Sequence, residues 1–450
     1  MPLCHLLAVG LGWLAAAGVA LPASGADRNA DFQKAKAPIV QKFRSRLTAD
    51  RVTAVGQLAD YPSAAAASLV VKLGLADPAA EVREASYRAL RKLAGNEEIA
   101  ATLAKDFQRE TRSVPLNEQH LPLLAVLAGC ESPAARKAIG EWLDARLGTP
   151  KADPHLIVDF IDGLVREGND SSLAALAALR ETRHFKENFG YRRTNVQALT
   201  AILRPRAIDD LIALLPKLEG ETCKDAVRHL IQLSGQNYGR DPSGWARWWR
   251  EHRATFVFPG GAGQGQPVVA QPMEARAQVS FYGLAIDARR VVFVLDISGS
   301  MHGAKLAAAK QEFSGVVAQL PDDAWFGVVV FSSQLATWQP RLVPATSINK
   351  HKACFFVNSL QARGDTATYD ALEAALRMDA EAVYLVTDGL PTCGTIVPMP
   401  AIAAAVARWN RVLRVSLYTI GIQVQTAPEA QRFLRGLAER NWGEYRESPN

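Results

Sequence analysis

Val291-Val292-Phe293-Val294-Leu295-Asp296-Ile297-Ser298-Gly299-Ser300-Met301 is the stretch that decides the fold of this chain. Five apolar residues in a row suit a strand buried on both faces of a parallel sheet, because such a strand has no solvent side on which to place polar residues. The D-x-S-x-S turn that follows opens at the strand's carboxyl end, where open α/β sheets bind ligands. It gathers one carboxylate, Asp296, and two hydroxyls, Ser298 and Ser300, around a common point. Carboxylate and hydroxyl oxygens are hard donors, which suit Mg²⁺, Mn²⁺ or Ca²⁺ rather than thiolate-seeking metals.

Downstream of this turn, helical and strand patterns alternate. Strands are expected at 291–295, 326–331, 335–343 (a weaker one), 383–387 and 412–420; helices at 305–320, 350–360, 369–378, from Ala401 and from Pro428. Alternation of this kind makes a mostly parallel, doubly wound sheet covered by helices on both faces. Only Ser332, Ser333 and Gln334 separate Phe331 from Leu335. That is too short for a crossover helix, so these two strands should pair antiparallel, and Pro340 puts the second at the sheet edge.

Two later segments supply further oxygens. Gly364-Asp365-Thr366-Ala367-Thr368-Tyr369-Asp370 brings a threonine to a loop–helix junction, and Val383-Tyr384-Leu385-Val386-Thr387-Asp388-Gly389 is a second buried strand ending in an aspartate. Any one segment is explained by side chains that cap helices or satisfy loop amides, as Asp, Ser and Thr commonly do. Three such segments at one sheet edge favour a cation site.

With these three segments, the chain from Val279 onward resembles the von Willebrand factor type A (VWA) domain. That family's metal-ion-dependent adhesion site (MIDAS) is built from D-x-S-x-S, the threonine of G-x-T and the aspartate of T-D-G. The resemblance implies that Ser298, Ser300 and Thr366 ligate through hydroxyls, and that Asp296 and Asp388 coordinate directly or through water. Thr368 competes for the threonine role, and the G-x-T position favours Thr366. Lys305 fits the helix that follows the turn in this family. The chain departs from the family at Asp365, where a small residue is usual; its carboxylate either faces solvent or adds negative charge that tightens cation binding and repels an acidic ligand. The resemblance further implies an open cation position that accepts an Asp or Glu from a protein partner.

From Lys34 to His252 the pattern is helical throughout, with alanine and leucine at three- and four-residue spacing. In the clearest unit, Asp77 is expected to cap a helix opened by Pro78, with Val82, Ala85, Ala89, Leu90 and Leu93 on one stripe. This unit resembles a HEAT-like repeat, with weaker echoes near Glu131-Ser132-Pro133, Ala152-Asp153-Pro154 and Arg206–Asp210. An array follows as an expectation, since a lone helix pair cannot bury its apolar face. Trp245, Trp248 and Trp249 share a helix face and are expected to seal the last repeat rather than bind a ligand. The expected organisation is an export signal over 1–26, a HEAT-like helical domain over 34–255, a Gly/Pro-rich linker over 256–278 and a VWA domain over 279–450.

The chain has 450 residues, 48% of them hydrophobic, and a formal net charge of +6 from 51 basic and 45 acidic side chains. No basic run or aromatic platform accompanies that charge, so nucleic-acid binding is not expected. Leu6–Leu21 is apolar and is followed by small residues before Asp27, the pattern of a cleaved signal, although the segment ahead of it lacks Lys and Arg. The run falls short of the ~20 residues that span a bilayer. A periplasmic or secreted protein with no membrane span after cleavage is therefore expected. Of the five cysteines, Cys4 leaves with the signal, and a Cys354–Cys393 bridge is open. No phosphate-binding loop, H-E-x-x-H helix or G-x-S-x-G elbow occurs. The expectation is a metal-dependent binding protein and not an enzyme. A metal-dependent enzyme, a partner subunit of one, and an envelope protein with a stabilising ion are the alternatives.

Overall fold

The structure, a computed structural model, describes residues 25–111, 120–147, 154–258 and 279–448. The expected export signal lies almost wholly outside the described residues, as does the linker from residue 259. Among the described residues, no helix is long and apolar enough to cross a membrane. By their contacts, the described residues divide into two compact units, one up to Leu103 and one from Ala104.

The first unit is helical. The helix expected to start at Asp77 begins later and runs Ala80–Leu93, with Ala79 at its cap position and no side-chain cap. Asp77 is drawn away from capping by Arg51, whose Nε and Nη2 donate to its carboxylate at 2.7 and 3.1 Å. The carboxylate still accepts from the Ala79 amide at 2.9 Å. Val82, Ala89, Leu90 and Leu93 are buried, as their spacing requires.

The second unit opens with more helices and ends in the α/β sheet. Its helices Pro133–Leu147, Pro154–Glu167 and Pro205–Leu214 each begin at a proline, which lacks the amide that a first helical turn leaves unbonded. Helix Pro242–His252 is capped by Asp241, which accepts from the Ser243 and Gly244 amides. Trp245, Trp248 and Trp249 on that helix are buried. The Trp249 indole donates to Asp209 at 2.6 Å and that of Trp245 to the Gly239 carbonyl at 2.8 Å. They are core residues.

The strands are β1 (Ser280–Phe281), β2 (Leu284–Ala285), β3 (Arg290–Asp296), β4 (Trp325–Phe331), β5 (Leu335–Thr337), β6 (Val343–Pro344), β7 (Ala382–Thr387), β8 (Ser416–Ile422) and β9 (Tyr445–Ser448). β1 and β2 form a separate hairpin, and the main sheet has the order β5-β4-β3-β7-β8-β9, with β6 also on β4. The pairs from β4 through β9 are parallel, while β5 and β6 run antiparallel to β4. The expected strand over 335–343 is thus two short edge pieces interrupted around Pro340, which cannot donate to a ladder.

Along β3, Val291, Phe293 and Leu295 join one core with helix Ala304–Gln319 and helix Ser347–Ser359. Val292 and Val294 join the opposite core with the helices over 368–376, 399–413 and 428–439. Helices therefore cover both faces, and the strand is apolar at every position from Val291 to Leu295 for that reason. The expected strand at 412–420 starts later, because helix Met399–Leu413 continues into its first residues. Asn410 turns the chain there, accepting from the Val415 amide at 2.8 Å and donating to the Val415 carbonyl at 2.7 Å. Cys354 and Cys393 are free thiols, so the possible bridge between them is not formed.

Helical packing does not stop where the linker begins. Arg193, on helix Phe189–Ala201, is fully buried against the amino end of β8. Its guanidinium donates to Asp225 at 2.7 and 3.1 Å, to the Arg414 carbonyl at 2.6 Å and to Ser416 Oγ at 2.9 Å. Buried Glu221 takes the Ser416 hydroxyl at 2.7 Å and that of Tyr418 at 3.0 Å. A buried charge needs this degree of pairing to be tolerated, and the pairing here ties two helices of the second unit to the sheet.

Candidate metal centre

β3 is the first long strand; the chain then moves to β4 on one side and later to β7 on the other. The direction of winding reverses between β3 and β7, which leaves a crevice at their carboxyl ends. Asp296 ends β3, and Asp388 follows β7.

Asp296 is fully buried and held from two sides. Its Oδ1 accepts from the Ser298 amide at 2.7 Å, and its Oδ2 accepts from Thr387 Oγ1 at 2.5 Å. Burial pushes its pKa up to about 6, with the hydrogen bonds from Thr387 and Ser298 opposing the shift and the Asp388 charge adding to it. The site thus holds a negative charge that the fold alone leaves poorly compensated.

Ser298 Oγ lies 3.1 Å from Ser300 Oγ, which donates to Asp388 Oδ1 at 2.7 Å. The other oxygen, Oδ2, accepts from Lys305 Nζ at 2.6 Å, and the Asp388 side chain is buried. Lys305 reaches it from the first turn of helix Ala304–Gln319. The chain can enter that helix because Gly303 adopts φ +79°, a backbone region that favours glycine.

Thr366 is buried and comes to the crevice by backbone ties. The Gly299 amide donates to the Gly364 carbonyl at 2.8 Å, the Arg363 amide to the Ile297 carbonyl at 2.8 Å, and the Thr392 amide to the Thr366 carbonyl at 3.0 Å. The Thr392 hydroxyl accepts from the Thr366 amide at 2.9 Å. Gly364 sits at φ +76°, and a Cβ there would lie 2.6 Å from Ser333 Oγ. The structure links Ser298, Ser300 and Asp388 side chain to side chain, brings in Asp296 through the Ser298 amide, and places Thr366 on the loop bonded to both neighbours. Thr368 Oγ1, at the start of helix Thr368–Leu376, is buried without a hydrogen-bond partner among the described residues.

Sequence reasoning missed Thr387 and Thr392. Thr387 is visible as the first letter of T-D-G, but its bond to the far carboxylate depends on β3 and β7 being neighbours. Nothing in the sequence marks Thr392 as the clamp on Thr366.

The donor set fits a hard divalent cation. The Ser298–Ser300 and Ser300–Asp388 oxygens stand 3.1 and 2.7 Å apart, hydrogen-bonded to one another and so close enough together to share one cation. Among the described residues, no group of three or more His, Cys, Asp or Glu side chains is placed to hold a metal. An ion at this turn would draw on the Ser298 and Ser300 hydroxyls together with the carboxylates of Asp296 and Asp388.

Residues 289–447 match the family model of the von Willebrand factor type A domain. The chain is 38% identical over 96 residues to inter-alpha-trypsin inhibitor heavy chain H3 of Bos taurus, covering 21% of this chain and 11% of that protein. It is 33% identical over 129 residues to inter-alpha-trypsin inhibitor heavy chain H4 of Homo sapiens, covering 26% of this chain and 14% of that protein. The chain thus spans only a small part of the length of these relatives. Among solved structures, a von Willebrand factor type A protein from Catenulispora acidiphila aligns at 26% identity and a TM-score of 0.33, over 37% of this chain and 40% of that one. On the family match, the parallel sheet and the arrangement of the turn, residues 289–447 form a von Willebrand factor type A domain, preceded by a region whose described residues up to 258 are predominantly helical.

Proposed function

We propose that this chain is an exported, metal-dependent protein-binding protein, whose VWA domain captures an acidic residue of a partner through a divalent cation, with the helical region as its scaffold. The observation that carries this reading is the run of oxygens from Ser298 through Ser300 to Asp388, hydrogen-bonded to one another at the mouth of the crevice and so within reach of one cation. Mg²⁺ is the first choice, with Mn²⁺ or Ca²⁺ served by the same donors. Once bound, the ion supplies Lewis acidity toward a partner's carboxylate.

The chain's own residues do the rest. Lys305 occupies one oxygen of Asp388 and leaves the other toward Ser300. Thr387 fixes Asp296, and the Gly299–Gly364 and Thr366–Thr392 bonds hold the third loop against the turn. Ser300 is exposed while Asp296, Ser298 and Thr366 are buried, so a partner has access from the Ser300 side. The local identity to inter-alpha-trypsin inhibitor heavy chains supports a binding role over catalysis.

The test is capture from an envelope extract on the immobilised full chain. Partner recovery in Mg²⁺ should vanish with EDTA and with Ser300→Ala. Undiminished recovery under both conditions would overturn the proposal.

A further inference from the structure

Thr366 is preceded by a carboxylate. Asp365 is exposed, and Lys305, the cation of the metal turn, is committed to Asp388. Its position is nonetheless fixed: its amide donates to Ser333 Oγ at 2.7 Å, and that hydroxyl lies 3.3 Å from its Oδ2. The preceding Gly364 carbonyl accepts from Gly299, within the metal turn itself. The Cys393 thiol lies against the same rim, where burial first, then the charges of Asp365 and Asp370, push its pKa up.

By formal charge, Asp296, Asp365 and Asp388 count three negatives against the single positive of Lys305, while Arg363 on the adjoining loop and Asp370 in the first turn of helix Thr368–Leu376 offset each other. The rim is net negative by two, which one divalent cation only cancels. An incoming lone carboxylate therefore finds no positive field beyond the ion to draw it in, and meets Asp365 as a like charge.

We infer that the partner segment carries a Lys or Arg beside its coordinating acid, and that Asp365 is the specificity-determining residue that receives it. This rests on the cation-mediated capture proposed above, and adds the charge class of the ligand.

The experiment presents the full chain in Mg²⁺ to three surface-immobilised peptides with a central Glu flanked by Lys, Gly or Glu. Wild type should favour the Lys-flanked peptide over the Gly-flanked one by about two- to fivefold, as an exposed ion pair gives. Asp365→Asn should level the series, and Asp365→Lys should invert it. Mg²⁺-dependent binding that ignores the flank, or that survives Asp365→Lys with the order unchanged, overturns this inference and leaves the capture proposal standing. Absence of Mg²⁺-dependent binding to every peptide by wild type and both variants overturns the two together.

Discussion

Replacing Asp296 by Asn should make the metal-free protein more stable. Asp296 is 0% exposed, and its pKa is raised from 3.8 to about 6, with burial the largest cause. A rise of about two units corresponds to ~3 kcal/mol of preference for the neutral form, at ~1.36 kcal/mol per unit. At pH 7 the carboxylate is ionised against that preference. Asparagine keeps both contacts: its oxygen accepts from the Ser298 amide, and its amide group donates to Thr387 Oγ1, a hydroxyl free to rotate. Urea unfolding in EDTA at pH 7 should therefore show Asp296→Asn stabilised by up to ~3 kcal/mol. The sign with pH is set by a folded-state pKa above the unfolded one. Asp296 contributes stability on the acid side that is lost as pH rises through about 6, so the advantage of the variant should shrink between pH 6 and 3.8. Mg²⁺ should reverse the ranking at saturation, since a thousandfold excess over Kd adds ~4.1 kcal/mol to wild type alone. A variant no more stable than wild type in EDTA would refute the reasoning, because the buried charge would then be costing the fold nothing.

Other perturbations test other parts of the structure. Arg193→Ala leaves Glu221 and Asp225 without their guanidinium inside the seam between helices and sheet, and should cost ~3–5 kcal/mol in denaturant unfolding. A loss below ~1 kcal/mol would show the seam to be loose. His229 has its pKa pushed down to about 4 by burial, so stability should be lost as pH falls from 6.5 to about 4, and His229→Gln should flatten that part of the profile. Gly364→Ala forces a side chain into φ +76° and against Ser333, and should cost ~1–2 kcal/mol while weakening the Mg²⁺-induced shift in Tm. An unchanged Mg²⁺ response would remove this loop from the site.

Legibility in the sequence followed the length scale of each interaction. The strand at 291–295 and the D-x-S-x-S turn were readable because their determinants are adjacent residues, and the antiparallel return after Phe331 followed from three intervening residues. Asp388 was readable at the end of a second apolar run. The β1–β2 hairpin and β9 escaped, since strands of two to four residues carry no periodic signal. The start of the Ala80–Leu93 helix was misplaced because Arg51, 26 positions before Asp77, competes for its carboxylate. The seam at Arg193 was invisible for the same reason: its partners Arg414 and Ser416 lie more than two hundred positions away, and an arginine on a helix reads as a surface residue until the sheet is placed beside it. Where the sequence suggested two regions joined by a linker, the packing joins helices beyond residue 104 to the sheet.

Crystals of the full chain grown in Mn²⁺ and measured at the manganese absorption edge test the central claim most directly. The account predicts one strong anomalous peak within coordination distance of Ser298 Oγ, Ser300 Oγ and a donor on the Thr366 or Asp388 loop, lost in Ser300→Ala crystals. A turn that stays free of anomalous density at saturating Mn²⁺, with the peak absent or elsewhere, would contradict it.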